Sequence, residues 1–439
     1  MRTGKLGLAE ILSPFSSSRY SLCSESTFIS PLFIIFFTDP VKIRQKQCPE
    51  FEELWGRHGE SAYNYEIPSK SFCSDFCSND KPYWFECSSS ILPTIQFFFA
   101  PDRSCYVQSA GGIRDKNNQR CIERVTSAFS NSNFTVNKMI YITHGFQGYQ
   151  EGNWLWSLKD SLLNRYGIGN TVVGVVIWSR GSKSRGLFER ETWFLHRDVV
   201  CCYTSWVQEY GVAAANTWPI GNVLAYVNKK IVSTHNSKAF KTYCIGHSLG
   251  SHLCGFFGKM SKKLDKDLTV EKIIGLDPAG PIWDYNDDLL QQDPNLRLNK
   301  DDAIHVEVFH TDAKGLGSMY PLGDLDFYIN GGNIQPMCKQ FGNLLDMHSC
   351  CHAMAWQFYE TLNKVDSPRC NAIWKCPNSS ESQLTAIENE IPSQLESQNC
   401  VTSAAIKVGD LDSRGQGVYW IDVDENSKTC DYGGYVSSP

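Results

Sequence analysis

The stretch TYCIGHSLGSHLCG, residues 242–255, places Ser248 between Gly246 and Gly250, with apolar residues before it and a helix-like pattern after it. A lone G-x-S-x-G arises by chance, glycine being about 7% of average residues, so its setting decides. A serine hydroxyl attacks a carbonyl only when a base takes its proton, and the base needs a carboxylate to fix its tautomer. Both types lie downstream. Asp277 closes IIGLD in front of Pro278, and His348 and His352 fall in MHSCCHAMAWQFYETL. Asp277 at a strand tip suits ligand-facing chemistry better than a plain turn before proline. His352 opens a helical stretch beside Cys350 and Cys351, whereas His348 lies in a looser segment. The need for a fixed base favours His352. His247 is expected to pack beside the serine without acting on it. Two backbone amides are expected to hold a developing oxyanion. One is Leu249, directly after the serine; the other is Phe146 in ITHGF, where Gly145 lets the backbone approach. A His-Gly pair after a strand has meaning only beside the serine turn.

Such groups must be brought to one edge of a scaffold. The runs TIQFFFA (94–100), KMIYIT (138–143), TVVGVVIW (171–178), KTYCIG (241–246), EKIIGLD (271–277) and AIHVEVFH (303–310) read as strands. They are nearly continuous in apolar residues, as strands covered on both faces should be. Helical stretches alternate with them: Trp154 to Arg165, Tyr210 to Lys230 and Leu249 to Lys263. This alternation predicts a mostly parallel α/β sheet with helices on both faces. Ser248 then stands at a strand–turn–helix elbow, with Leu249, Leu253, Phe256, Phe257 and Met260 along the helix's apolar side. The order serine, acid, histidine is that of the α/β-hydrolase fold.

The chain has 439 residues, 42% hydrophobic and 20% charged, which reads as globular. Its net charge of -6 argues against nucleic acid as a partner. Eighteen cysteines, spread from Cys23 to Cys430, and the sequons at Asn133 and Asn378 suit a secreted, disulfide-bonded protein. FISPLFIIFFTDP, residues 28–40, has the length of a signal-peptide core, but it lies late and has no small-x-small cleavage site. No later run is long enough for a transmembrane anchor. The expected organisation is a leader over 1–47, a cysteine-rich lead-in over 48–93, a hydrolase domain over 94–430 and a tail over 431–439. In the lead-in, Cys73-x-x-x-Cys77 lacks a second ligand pair, so bridging is expected there and not zinc. The polar segment Asn378 to Gln398 reads as a surface loop.

ITHGF, YGVAAANTWPIG, IGHSLGSHLCGFFGK, GLDPAGP, HTDA, DFYINGGNIQPMC, CCHAMAWQFY and GVYWIDV stand in one order between residues 141 and 423. In that order the chain resembles the pancreatic lipase family, a group of secreted triacylglycerol lipases and phospholipases A1. The resemblance implies a triad of Ser248, Asp277 and His352, an oxyanion hole at Phe146 and Leu249, and a lid closed by Cys338 and Cys350. It implies no cofactor. The C-terminal β-sandwich domain of the larger members, and with it a colipase platform, is not expected. The chain departs from the family at Gly323-Asp324-Leu325-Asp326, where G-H-x-D is usual, at Met354 for an arginine, and at Ile177 for an aspartate. In PNLRLNKDDA, Pro294 and Asn299 stand where acids are typical, so no metal is expected.

Eleven residues lie between Cys338 and Cys350. A lid this short accompanies phospholipase A1 activity in the family, and a small lid leaves a charged head group solvated. Phe341, Leu344 and Leu345 would form one apolar edge for a lipid surface, or else pack the loop onto the core. The expected partner is a glycerolipid at a lipid–water interface. Triacylglycerol hydrolysis and an inactive, yolk-type lipid carrier are the alternatives.

Overall fold

The computed structural model describes residues 91–130, 137–148, 153–183, 199–234, 240–281, 283–284, 294–313, 315–364, 370–376 and 401–423. The expectations for the leader, Cys48, Cys73, Cys77 and Cys87, both sequons, the loop from Asn378 to Gln398 and the tail lie outside the described residues.

One sheet organises the described chain. Its strands are β1 (Thr94–Ala100), β2 (Arg103–Gln108), β3 (Asn137–Thr143), β4 (Thr171–Ile177), β5 (Phe240–His247), β6 (Lys272–Leu276), β7 (Val306–His310), β8 (Leu325–Ile329), β9 (Asn371–Cys376), β10 (Val401–Lys407) and β11 (Gly417–Ile421). They lie in the order β10-β9-β11-β8-β7-β6-β5-β3-β4-β1-β2. The run from β11 to β4 is parallel throughout. Antiparallel pairs finish both edges: β1 and β2 beyond β4, and β9 and β10 beyond β11. The helices are α1 (Lys116–Ser130), α2 (Asn153–Tyr166), α3 (Val199–Thr234), α4 (Leu249–Leu264) and α5 (Leu344–Asn363).

All six strands expected from the sequence are present, at slightly different ends. Strands β6, β7 and β8 are buried along their whole length, because helices cover both faces of a parallel sheet. Strand β2, RSCYVQ, instead alternates exposed and buried residues, as an edge strand with one wet face must. A disulfide from Cys105 to Cys121 ties β2 to α1, and another from Cys244 to Cys254 ties β5 to α4. Helix α3 is longer than expected and carries Pro219 inside it. It presses against α4 so closely that a Cβ at Gly221 would stand 2.6 Å from the Leu253 carbonyl.

The two ends of the sheet differ in chemistry. At the N-terminal ends of the parallel strands, Lys272 pairs with Glu307, both almost wholly buried. Lys272 also donates to the carbonyls of Asp410 (2.8 Å) and Ser413 (3.1 Å), and Glu307 accepts from the Gly409 amide (2.7 Å). Lys138 bonds Asp412 (2.7 Å) and Arg165 reaches Asp410 (3.4 Å). The turn between β10 and β11 is thus fastened to that end, which leaves the C-terminal ends for a site, where open α/β sheets place one.

Removing one partner of a buried pair leaves an uncompensated group in a dry interior. Lys272→Ala should therefore cost about 3–5 kcal/mol of stability, read by denaturant unfolding. Lys272→Met combined with Glu307→Leu should cost far less than the two single changes added together.

Candidate active site

Strand β5 hands over to α4 through a single residue, Ser248, whose backbone is held at φ 58 and ψ −125. A non-glycine residue rarely adopts this strained region. The turn is fixed from several sides. The Ser248 amide donates to the Leu276 carbonyl (3.0 Å), and the Ser251 hydroxyl donates to the Gly246 carbonyl (2.7 Å). A Cβ at Gly246 would meet the Gly250 carbonyl at 2.2 Å, and one at Gly250 the His144 carbonyl at 2.7 Å. Both glycines of the motif are therefore demanded by close approach.

Residues 144–148 pass directly beside the serine, since a Cβ on Gly145 would lie 2.5 Å from that of Ser248. His144 anchors this segment to β4's end. Its Nε2 accepts from the Trp178 amide (3.2 Å), and the Trp178 indole donates to its carbonyl (2.9 Å). The first of these bonds leaves the ring proton on Nδ1, which donates to the Gly145 carbonyl (2.9 Å). Burial pushes the imidazole down to about 4, so it stays neutral at pH 7. Phe146, next along, packs edge-on against Tyr210. Phe146 and Leu249 thus flank Ser248 on its two neighbouring segments.

Asp277 follows the end of β6, also with a left-handed backbone (φ 46), and its side chain is wholly buried. Its Oδ1 accepts from the amides of Thr311 (2.8 Å) and Asp312 (3.1 Å), which follow β7. Its Oδ2 lies 2.6 Å from Nδ1 of His352. Gly317 backs the carboxylate: a Cβ there would come within 2.4 Å of it. The structure therefore joins Asp277 to His352, while His348 goes elsewhere. His348 Nδ1 lies 2.8 Å from Oδ1 of the buried Asp312.

One sequence expectation needs correction. Helix α5 begins at Leu344, capped by the Asn343 side chain on the Asp346 amide (2.8 Å), and not at His352. His348 consequently sits in regular helix one turn before His352, because the cap starts the helix within the loop. His247 does more than pack beside the serine. Its ring lies 4.5 Å from that of His352, and its Nε2–H donates to the His352 carbonyl (3.0 Å). Burial first, and His352 next, hold the His247 imidazole well below the usual histidine range. Sequence reasoning missed the Thr311 and Asp312 amides as well; the sole signal was HTD directly after a strand.

Cys338 and Cys350 are bonded to each other. Cys351, the free thiol among the described residues, is buried and pushed up to about 12 by burial. Phe341, Leu344 and Leu345 are 41%, 57% and 61% exposed, so they do not pack the loop onto the core. Among the described residues no group of three or more His, Cys, Asp or Glu could hold a metal ion. In the segment weighed for one, Lys259 donates to both oxygens of Asp302 (2.6 Å each) and to the Arg297 carbonyl (2.7 Å).

A family model described as Lipase matches residues 195–369, which hold Ser248, Asp277 and His352. Phospholipase A1 of Vespula squamosa is 42% identical over 142 residues, 32% of this chain and 45% of that protein. Phospholipase A1 1 of Vespa affinis is 32% identical over 222 residues, 51% of this chain and 58% of that one. Over residues 195–369 this chain is similar to the Lipase family. It spans about half the length of the curated relatives it matches. A solved structure described as "Structure of arylesterase" aligns at a TM-score of 0.24 and 10% identity, over 45% of this chain and 72% of that one.

The departures from the lipase pattern can now be placed. Asp326 bonds His310 (2.8 Å) and accepts from the amides of Leu322 (2.9 Å) and Gly323 (3.1 Å), so it folds the loop before β8. Asp324 accepts from the Val306 amide (2.9 Å). Met354 is buried in a small cluster with Cys338 and Cys351. In this site, Gly317→Ala should displace the Asp277 carboxylate. Misplacement of about 1 Å costs on the order of 10²-fold in rate. Labelling of Ser248 by a fluorophosphonate should slow correspondingly, with the fold retained by circular dichroism.

Proposed function

We propose that this chain is a secreted serine carboxylester hydrolase of glycerolipids, releasing fatty acid from phospholipids as a phospholipase A1. The observation that carries the reading is the 2.6 Å contact of Asp277 with His352, together with a serine strained at φ 58 between β5 and α4. In this reading Ser248 Oγ attacks the acyl carbonyl while His352 Nε2 takes its proton. The tetrahedral oxyanion is held by the amides of Phe146 and Leu249. Its collapse breaks the ester C–O bond, and His352 returns the proton to the departing lysolipid oxygen. Water, deprotonated by the same imidazole, then frees the acid and restores the serine. Asp277 keeps Nδ1 protonated and Nε2 free for these transfers.

The substrate class rests on the lid and on the relatives. Three exposed apolar residues on a disulfide-closed loop form an edge suited to a lipid surface. The relatives named above are phospholipases A1. Secretion is supported by the cysteine load and by three disulfides among the described residues. The described residues contain no helix long and apolar enough to cross a membrane.

Ser248→Ala should fold normally and lose on the order of 10⁶ in kcat, the scale found for the nucleophile of another serine hydrolase. Full activity in that variant would remove the proposed chemistry, and an inactive wild type would favour a lipid carrier. A second measurement compares fatty-acid release from phospholipid vesicles and from emulsified triacylglycerol under matched interfacial conditions. Faster release from the sn-1 position of phospholipid is expected; a preference for triacylglycerol would keep the hydrolase and reject the phospholipase.

A further inference from the structure

We propose that His348 and Asp312 form a positioning pair that holds the Asp277–His352 couple in register, a second imidazole–carboxylate pair built onto the same helix and loop. The proposal rests on the hydrolase reading of the site for its kinetic consequence, though not for its structural one.

The connection is a closed circuit of short contacts. His348 and His352 project from successive turns of α5, four residues apart. His348 Nδ1 meets Asp312 Oδ1 at 2.8 Å, and His352 Nδ1 meets Asp277 Oδ2 at 2.6 Å. The two pairs are joined through the Asp312 backbone, whose amide donates to Asp277 Oδ1 at 3.1 Å. Wherever Asp312 stands, one of the two amides that orient Asp277 stands with it.

The loop after β7 is shaped around both pairs. The Asp312 carbonyl accepts from the amides of Gly315 (2.8 Å) and Gly317 (3.0 Å), and its Oδ2 accepts from the Leu316 amide (2.8 Å). A Cβ on Gly315 would lie 2.1 Å from His348 Nδ1 and 2.4 Å from Asp312 Oδ2. A Cβ on Gly317 would lie 2.4 Å and 2.5 Å from the two oxygens of Asp277. One short loop thus gives up a side chain at two places, once for each pair. A staple that only held α5 to the core would leave Gly317 and the amide link to Asp277 without a part in it.

Among the described residues, the titratable groups shown to act on His348 are Asp312 from the loop after β7 and His352 on its own helix. The hydrogen bond to Asp312 raises the His348 pKa above the ordinary value, against the effect of burial. A raised folded value means that the charged pair is complete below the ordinary histidine pKa. Its contribution weakens as pH rises through the raised one.

The test uses His348→Ala and His348→Asn on the full chain, since an asparagine amide can donate from the place of Nδ1 but cannot titrate. Groups that orient a metal-binding histidine through its second ring nitrogen are worth about 10–100-fold, and the same kind of hold is at issue here. His348→Ala should lower kcat for a soluble short-chain ester about tenfold, with KM changed less than about twofold. His348→Asn should recover most of that loss and flatten the alkaline side of the kcat profile. Proton NMR gives a readout independent of turnover, the low-field resonance of the His352 Nδ1–H held by Asp277. In His348→Ala it should shift and exchange faster with water, and in His348→Asn it should return toward wild type. A wild-type kcat together with an unmoved resonance in His348→Ala would overturn the proposal. If the wild type hydrolyses no ester, the hydrolase reading fails by itself and the resonance alone decides the positioning role.

Discussion

Helix α4 lies against the ends of β3 and β5 at a distance that admits no side chain, and the site depends on that approach. Gly246 faces the Gly250 carbonyl, and Gly250 faces the His144 carbonyl. With the backbone this close, Ser248 has no room for ordinary dihedrals and is carried into φ 58. Strain of this kind costs of order 1–3 kcal/mol and persists only where surrounding structure over-determines it. Here the Cys244–Cys254 disulfide, the Ser248–Leu276 bond and the Ser251–Gly246 bond supply that surplus. The same approach brings Gly145 against Ser248, so the elbow and the 144–148 segment are one construction and not two.

The sheet separates two electrostatic problems. At its N-terminal ends, Lys138, Arg165 and Lys272 meet Glu307, Asp410 and Asp412 in a network of fixed charges. At its C-terminal ends the partners of the acids are imidazoles: His352 for Asp277, His348 for Asp312 and His310 for Asp326. Ammonium and guanidinium groups keep their charge at any physiological pH, whereas an imidazole can give up or take a proton near pH 7. The permanent pairs fasten the β10–β11 turn, and these three imidazole–carboxylate pairs stand where the strands open.

How far the sequence could be read follows from this division. Strands β3 to β7 were legible because residues such as Ile273 and Ile274 are covered on both faces and the pattern is continuous; β8, equally buried, was not expected, since Asp326 interrupts its apolar run. Strand β2 was not, since RSCYVQ alternates with one wet face and β9 and β10 lie at the opposite edge. Ser248, Asp277 and His352 were legible as types in the right chain order. Gly315 and Gly317 were not, because what makes them glycine is a histidine and an aspartate more than thirty residues away. His247 shows the same limit, since only the fold brings its ring to the His352 carbonyl. The start of α5 was mistaken because Asn343, an ordinary polar residue in a short loop, turns out to be its cap.

That early start joins the loop expected as a lid to the helix behind it. The segment closed by Cys338 and Cys350 is no separate flap, because its second half is the first two turns of the helix that carries His352. Leu344 and Leu345 stand exposed on the first of those turns, His348 on the next and His352 on the one after. A helix transmits displacement along its axis better than a loop does, since each turn is bonded to the last. Any surface that covers the exposed leucines therefore pushes on the same rigid element that presents the imidazole to Asp277. The disulfide and the His348–Asp312 contact restrain that element between the lid tip and the imidazole.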